Sequence, residues 1–94
     1  MKHFASRKFW KCHDALPKET KALADRCFRM LKDNPKHPSL HLKRIEGQGR
    51  LWSVRVGLDY RAVGLETPEG IVWLWIGVHS DYELIIRLQR WPGA

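Results

Sequence analysis

Arg55, Arg61, His79 and Tyr82 punctuate residues 51–82, a stretch whose other residues are mostly apolar and strand-forming. The run Leu51-Trp-Ser-Val-Arg-Val-Gly-Leu-Asp-Tyr-Arg-Ala-Val-Gly64 would need no arginine if it only built a core. A charge on a half-buried strand must be paired, solvated or aimed at an anion. If Gly57-Leu-Asp59 is the loop of a hairpin, Val56 faces Tyr60 and Arg55 faces Arg61 directly across the ladder. Opposed like charges destabilise a strand pair. An anion between them turns that cost into a binding site, because guanidinium forks match phosphate oxygens. A two-residue loop shifts the register and separates the pair, and Asp59, Glu66 or Glu46 could instead neutralise one arginine.

His79 and Tyr82 follow the last strand-like run and supply an imidazole, which titrates near neutrality, and a phenol. Together with the arginines they suit RNA cleavage without a metal. The ribose 2′-OH attacks the neighbouring phosphorus, leaving a 2′,3′-cyclic phosphate and a free 5′-OH. That reaction needs an acceptor for the 2′-OH proton, positive charge beside the phosphorane and a proton for the leaving oxygen. Arginine fits the second task, and Glu46, His79 or Tyr82 can share the other two. Lys43, Arg44 and Arg50 join Arg55 and Arg61 as candidate phosphate-binding cations. The sequence holds no carboxylate cluster, HExxH pattern, Ser/His/Asp signature or phosphate-cradling glycine loop, so neither a metal nor a cofactor is expected.

Charge points to the same class of partner. The formal net charge is +7, and all of it lies in the first half: residues 1–46 hold 12 Lys/Arg and 5 Asp/Glu, residues 47–94 hold 5 of each. Such asymmetry favours nucleic acid or an acidic protein; a basic helical surface with no acidic ligand is the alternative. Cys12 and Cys27 fit neither a zinc site nor a disulfide framework and read as reduced thiols. The first residues lack the apolar core of a secretory signal, and the longest apolar run, residues 70–78, is too short for a membrane span. A soluble, cytoplasmic protein with no membrane partner is expected. With 94 residues, 44% of them hydrophobic and five of them tryptophan, the chain can bury enough surface to fold as one domain, residues 1–94, without metal or disulfide.

The elements that must position these groups follow from periodicity. Ser6 can cap a helix in which Phe9, His13 and Leu16 recur at helical spacing. Pro17 reads as the first residue of a second helix, with Thr20, Leu23, Cys27 and Met30 or Leu31 inside and Lys18, Lys21, Arg29 and Lys32 outside. Asn34-Pro35 ends it. After Pro35-Lys-His-Pro38 the period becomes two: Leu40 and Leu42 alternate with His41 and Lys43 in a short strand. Trp52, Val54 and Val56 mark the next strand, beyond the Gly47-Gln-Gly49 loop. Residues 60–66 run back, Thr67-Pro-Glu-Gly70 turns, and residues 71–78 read as a strand covered on both faces. Ser80-Asp-Tyr-Glu83 is a capping-box pattern opening a last short helix. The expected fold is therefore α+β: an N-terminal helical hairpin on a small antiparallel sheet of three to four strands, closed by a C-terminal helix.

The sequence resembles the RelE/ParE superfamily of bacterial type II toxin–antitoxin toxins along almost its whole length. The resemblance rests on Phe9-Trp10 with Leu16-Pro17, on Asn34-Pro-Lys-His-Pro-Ser-Leu40, on residues 51–62, and on Trp75-Ile-Gly-Val-His-Ser-Asp-Tyr82. It implies two N-terminal helices packed on a small antiparallel sheet, and a cognate antitoxin as partner. Several members cleave mRNA, commonly on the ribosome. By that likeness Arg55 and Arg61 bind phosphate, His79 and Tyr82 handle protons, and Glu46 stands near where some members place a general base. Other members inhibit DNA gyrase and cut no RNA, and a degenerate member kept as a nucleic-acid- or protein-binding module is a further alternative. The segment before Ser6 is very short, which implies a rudimentary or missing first edge strand. His79 and Tyr82 are separated by two residues, where some nucleases of the family have the corresponding groups adjacent.

Overall fold

The computed structural model describes residues 2–88. In chain order its elements are β1 (Lys2–Ala5), α1 (Arg7–Asp14), α2 (Lys18–Asp33), a 3₁₀ turn (Pro38–Leu40), β2 (Lys43–Arg44), β3 (Leu51–Val56), β4 (Tyr60–Thr67), β5 (Gly70–Val78) and α3 (His79–Leu88). The strands form one five-stranded sheet in the order β1-β5-β4-β3-β2. Strands β2 to β5 are antiparallel to their neighbours, whereas β1 runs parallel to β5.

The α+β class stands, with two helices ahead of the antiparallel strands and one after them, the first ending at Asp14 short of Leu16. The expected antiparallel sheet of three to four strands is corrected to a mixed sheet of five. The short segment before Ser6 does make an edge strand. It can do so because Gly70, at φ 152°, lets the backbone of Lys2 come close; a Cβ at Gly70 would run into the Lys2 carbonyl. Glycine alone enters that conformation without penalty. Two further boundaries differ. Leu40 closes a 3₁₀ turn (Pro38–Leu40) rather than opening a strand, and the left-handed His41 then redirects the chain, so β2 holds only Lys43 and Arg44. The last helix begins one residue before the Ser80 capping box, directly from β5, so Ser80 lies inside the helix.

Local chemistry accounts for the helix starts. The Ser6 hydroxyl accepts the Phe9 N–H at 3.1 Å and closes the first turn of α1. Ser6→Ala should lower stability by about 1 kcal/mol, read as a lower urea midpoint at unchanged slope. Pro17 stands just before α2 rather than inside it, and its carbonyl accepts the Lys21 N–H at 2.9 Å. A buried His13 ties α1 to α2 through Nε2 and the Asp25 carboxylate, 3.0 Å apart.

Alternation along the strands sends apolar side chains to both faces. Val54, Val56, Ala62, Ile71, Trp73 and Ile76 meet Phe9, Ala24, Leu31 and Leu40 in the main core beneath α1 and α2. On the other face, Ile45, Leu51, Val63 and Trp75 pack with Tyr82 of α3. A register shift separates the two tryptophans of β5 onto these two faces: Val63 pairs with Trp75, but Gly64 pairs with Trp73, so Leu74 is the extra residue of a bulge. The bulge needs a small partner, since a Cβ on Gly64 would collide with Ile71 and Trp73. One face thus carries the larger core, and the other, only partly covered by α3, is left to hold a site.

Candidate active site

The hairpin between β3 and β4 has the three-residue loop Gly57-Leu-Asp59, and the ladder places Val56 opposite Tyr60 and Arg55 opposite Arg61. Each guanidinium is pinned by a main-chain carbonyl. Arg55 Nε donates to Gly57 at 3.1 Å, and Arg61 Nη1 donates to Tyr60 at 2.8 Å. Among the described residues no carboxylate forms an ion pair with either arginine; Glu66 is engaged by Arg44 instead. Burial pushes the Arg61 guanidinium below its usual range, and the Arg55 charge adds to this, while Tyr82 and Glu83 oppose it. Arginine stays protonated regardless, so two partly desolvated cations face each other with their remaining donors unspent. That arrangement calls for an anion.

The arginines, His79 and Tyr82 line a single cleft of about 170 Å³ on the face covered by α3. The His79 N–H donates to the Asp59 carbonyl at 2.7 Å, which fastens the start of α3 to the hairpin loop. Because residue 79 is already helical, Tyr82 lies at i+3 and Glu83 at i+4, on the same side of the helix. The two-residue gap between His79 and Tyr82 therefore still brings the groups together. The rings of His79 and Tyr82 meet edge to face with centroids 6.0 Å apart, and His79 Nε2 lies 2.7 Å from Glu83 Oε1. With Nε2–H donated to the carboxylate, Nδ1 is the basic nitrogen. Tyr82 is buried, at 9% exposure, while His79 remains partly open.

Lys43 also reaches the cleft, since β2 pairs it with Ser53, on the same face as Arg55. Ser53, 2% exposed, places a hydroxyl on the floor. Three lining residues, His41, Ser53 and Glu83, are not among the sequence candidates. Glu83 could be found from its i+4 relation to His79, and Ser53 from its alternation with Arg55. His41 gives no sequence signal, because it depends on a left-handed turn.

Three sequence candidates lie elsewhere. Arg44 alternates with Lys43 and so faces the opposite side of the sheet, where it donates to Glu66 at 2.8 Å and sits 5.1 Å from the Trp52 ring centroid. Glu46 and Arg50 are exposed, in the loop between β2 and β3. At about 3.3 Å per residue, Arg50 is roughly 16 Å along the strand from Arg55. Neither residue lines the cleft. A larger cavity of about 380 Å³ lies across the sheet, between β1, α1 and α2, but its lining is mainly aromatic, with Phe4, Trp10 and Phe28. Of its two histidines, His13 is spent on Asp25 and His3 accepts the Trp73 indole N–H at 3.2 Å. The cleft that gathers cations with an imidazole, a phenol and a carboxylate is the smaller one.

A family model described as the ParE-like toxin domain matches residues 20–84, from α2 through the site to α3. The chain belongs to that family. Its fold is that of the RelE/ParE toxins. The ParE-like chain superposes on the RelB–RelE antitoxin–toxin complex from Methanococcus jannaschii with a TM-score of 0.68 at 17% identity, covering 86% of this chain and 96% of that one. YafQ from E. coli strain BL21(DE3) gives 0.69 at 14% identity, again with 86% and 96% covered. The YoeB/ParE toxin from Agrobacterium tumefaciens gives 0.65 at 16%, with 84% and 99% covered. At such identities the likeness is one of fold. No curated protein matches the chain in sequence.

Proposed function

We propose that this ParE-like toxin is a metal-independent mRNA endoribonuclease that inhibits translation and is neutralised by a cognate antitoxin. The observation carrying this reading is the pair Arg55 and Arg61, opposed across the ladder, in no ion pair with a described carboxylate, and sharing a cleft with the His79 imidazole. A scissile phosphate lies between the guanidiniums, with Lys43 as a further cation. Their charge stabilises the phosphorane, the largest demand of the reaction. His79 Nδ1 accepts the 2′-OH proton, and the Glu83 carboxylate stabilises the imidazolium that results. Tyr82, packed edge-on, holds the imidazole in place. No metal or cofactor is required by these steps.

Acting on mRNA places the protein in the cytoplasm; among the described residues no helix is long and apolar enough to cross a membrane. The antitoxin finds an open strand edge at β1, flanked by the exposed aromatic residues Phe4 and Trp10, the kind of surface that strand addition uses. Membership of the ParE-like family supports a second reading, a toxin that acts by binding a protein such as DNA gyrase and cuts nothing.

Induction of the chain in a bacterial host, followed by primer extension and analysis of RNA ends, separates the two. The nuclease produces new transcript ends within minutes, each with a 5′-OH and a 2′,3′-cyclic phosphate. Growth arrest with intact mRNA would establish the binding toxin instead.

A further inference from the structure

We propose that His41 is the general acid of this site, delivering the proton to the departing 5′-oxygen; the proposal rests on the nuclease reading above. The steps assigned so far leave that proton without a source. Tyr82 is buried and packed against His79, and Lys43 is already engaged as a cation for the phosphate. An imidazole is the side chain best matched to proton donation at neutral pH. The cleft holds a second one: His41 lines it together with Lys43, Arg55, Arg61, His79 and Glu83.

The way His41 is held supports a role in the cleft. It is the only described non-glycine residue with a positive φ, at φ 47° and ψ 44°. Histidine is one of the residue types enriched there, yet the left-handed region still carries a cost that folds accept mostly at turns and functional sites. Leu40, fully buried, anchors the preceding turn, and Lys43 starts β2 two residues later. His41 is thus fixed from both sides while its imidazole stays exposed and makes no hydrogen bond to any described residue. Unlike His79, it has no carboxylate partner among the described residues to make it a base. A phosphate bound between the arginines supplies the negative charge that accompanies an imidazolium.

The cleavage then balances. The 2′-oxygen bonds to phosphorus as its proton passes to His79 Nδ1. The P–O5′ bond breaks, its electron pair moves to O5′, and the His41 imidazolium gives O5′ a proton. A 2′,3′-cyclic phosphate and a 5′-OH result, with no water consumed. His79 ends protonated and His41 neutral, and exchange with solvent resets both.

The test compares two mRNAs on programmed ribosomes, one normal and one with a bridging sulfur in place of O5′ at the cleavage site. Sulfur leaves as a thiolate and needs no acid. His41→Asn retains a residue that tolerates the left-handed turn, so its melting midpoint should match the wild type. It should cleave normal mRNA about 10²–10⁴-fold more slowly and the sulfur-containing mRNA at nearly the wild-type rate. Lys43→Gln, which removes a phosphate contact, should slow both substrates alike. Equal losses for His41→Asn on the two mRNAs, or rescue by sulfur of Tyr82→Phe instead, would overturn the assignment. A wild-type protein that cleaves neither substrate would remove the nuclease reading and this assignment together.

Discussion

Arg61→Ala should abolish growth arrest and slow RNA cleavage about 10²–10³-fold, the usual cost of removing one donor to a developing oxyanion. Its fold should survive. The substitution removes a cation directly opposite Arg55, and such like-charge pairs are destabilising. Against that gain stand the loss of the 2.8 Å hydrogen bond to the Tyr60 carbonyl and of the buried part of the side-chain stem. The net change in unfolding free energy should be about 1 kcal/mol or less in either direction, measured by urea denaturation. Arg61→Lys keeps the charge but loses the planar fork, and its activity should fall between the two. Loss of activity without loss of stability marks a residue kept for its ligand rather than for the core. If both Arg61→Ala and His79→Ala still arrest growth, and mRNA stays whole, the toxin acts by binding.

The opposite pattern is expected at Trp73. Its side chain is 2% exposed, its ring meets Phe28 edge to face at 5.4 Å, and its Nε1–H donates to His3 Nδ1 at 3.2 Å. It also fills the space above Gly64 that the bulge creates. Trp73→Ala therefore removes a large apolar surface, opens a cavity where α2 meets the sheet and strands a partly buried histidine. The cost should be about 3–5 kcal/mol, a large share of the roughly 5–15 kcal/mol that stabilises a small domain. Thermal unfolding should shift down by about 12 °C or more, with activity in the surviving folded fraction unchanged. A shift of only a few degrees would mean that the main core does not depend on the packing of β5 against α2.

Signals in the sequence differ in how far they reach. The opposition of Arg55 and Arg61 is legible because both the two-residue period of a strand and the length of a hairpin loop are local properties. The cap at Ser6 and the apolar stripes of α1 and α2 are legible for the same reason. Other features depend on partners distant in the chain. β1 exists because Lys2 to Ala5 find β5 nearly seventy residues away, and nothing in their own composition marks them as a strand. Alternation does distinguish Lys43 from Arg44, but only once the register of β2 against β3 is known.

What the residues determine by themselves is the inventory: basic, aromatic-rich, α+β in pattern, with two arginines facing across one hairpin. The tertiary structure alone decided which groups share the cleft. The start of α3 at His79 brought Tyr82 and Glu83 to the imidazole, the left-handed turn carried in His41, and strand register left Arg44, Glu46 and Arg50 outside. The reason is physical. A strand's period constrains neighbours a few residues apart, whereas a cleft is set by backbone register and by turns whose geometry is stabilised only when the whole sheet has assembled.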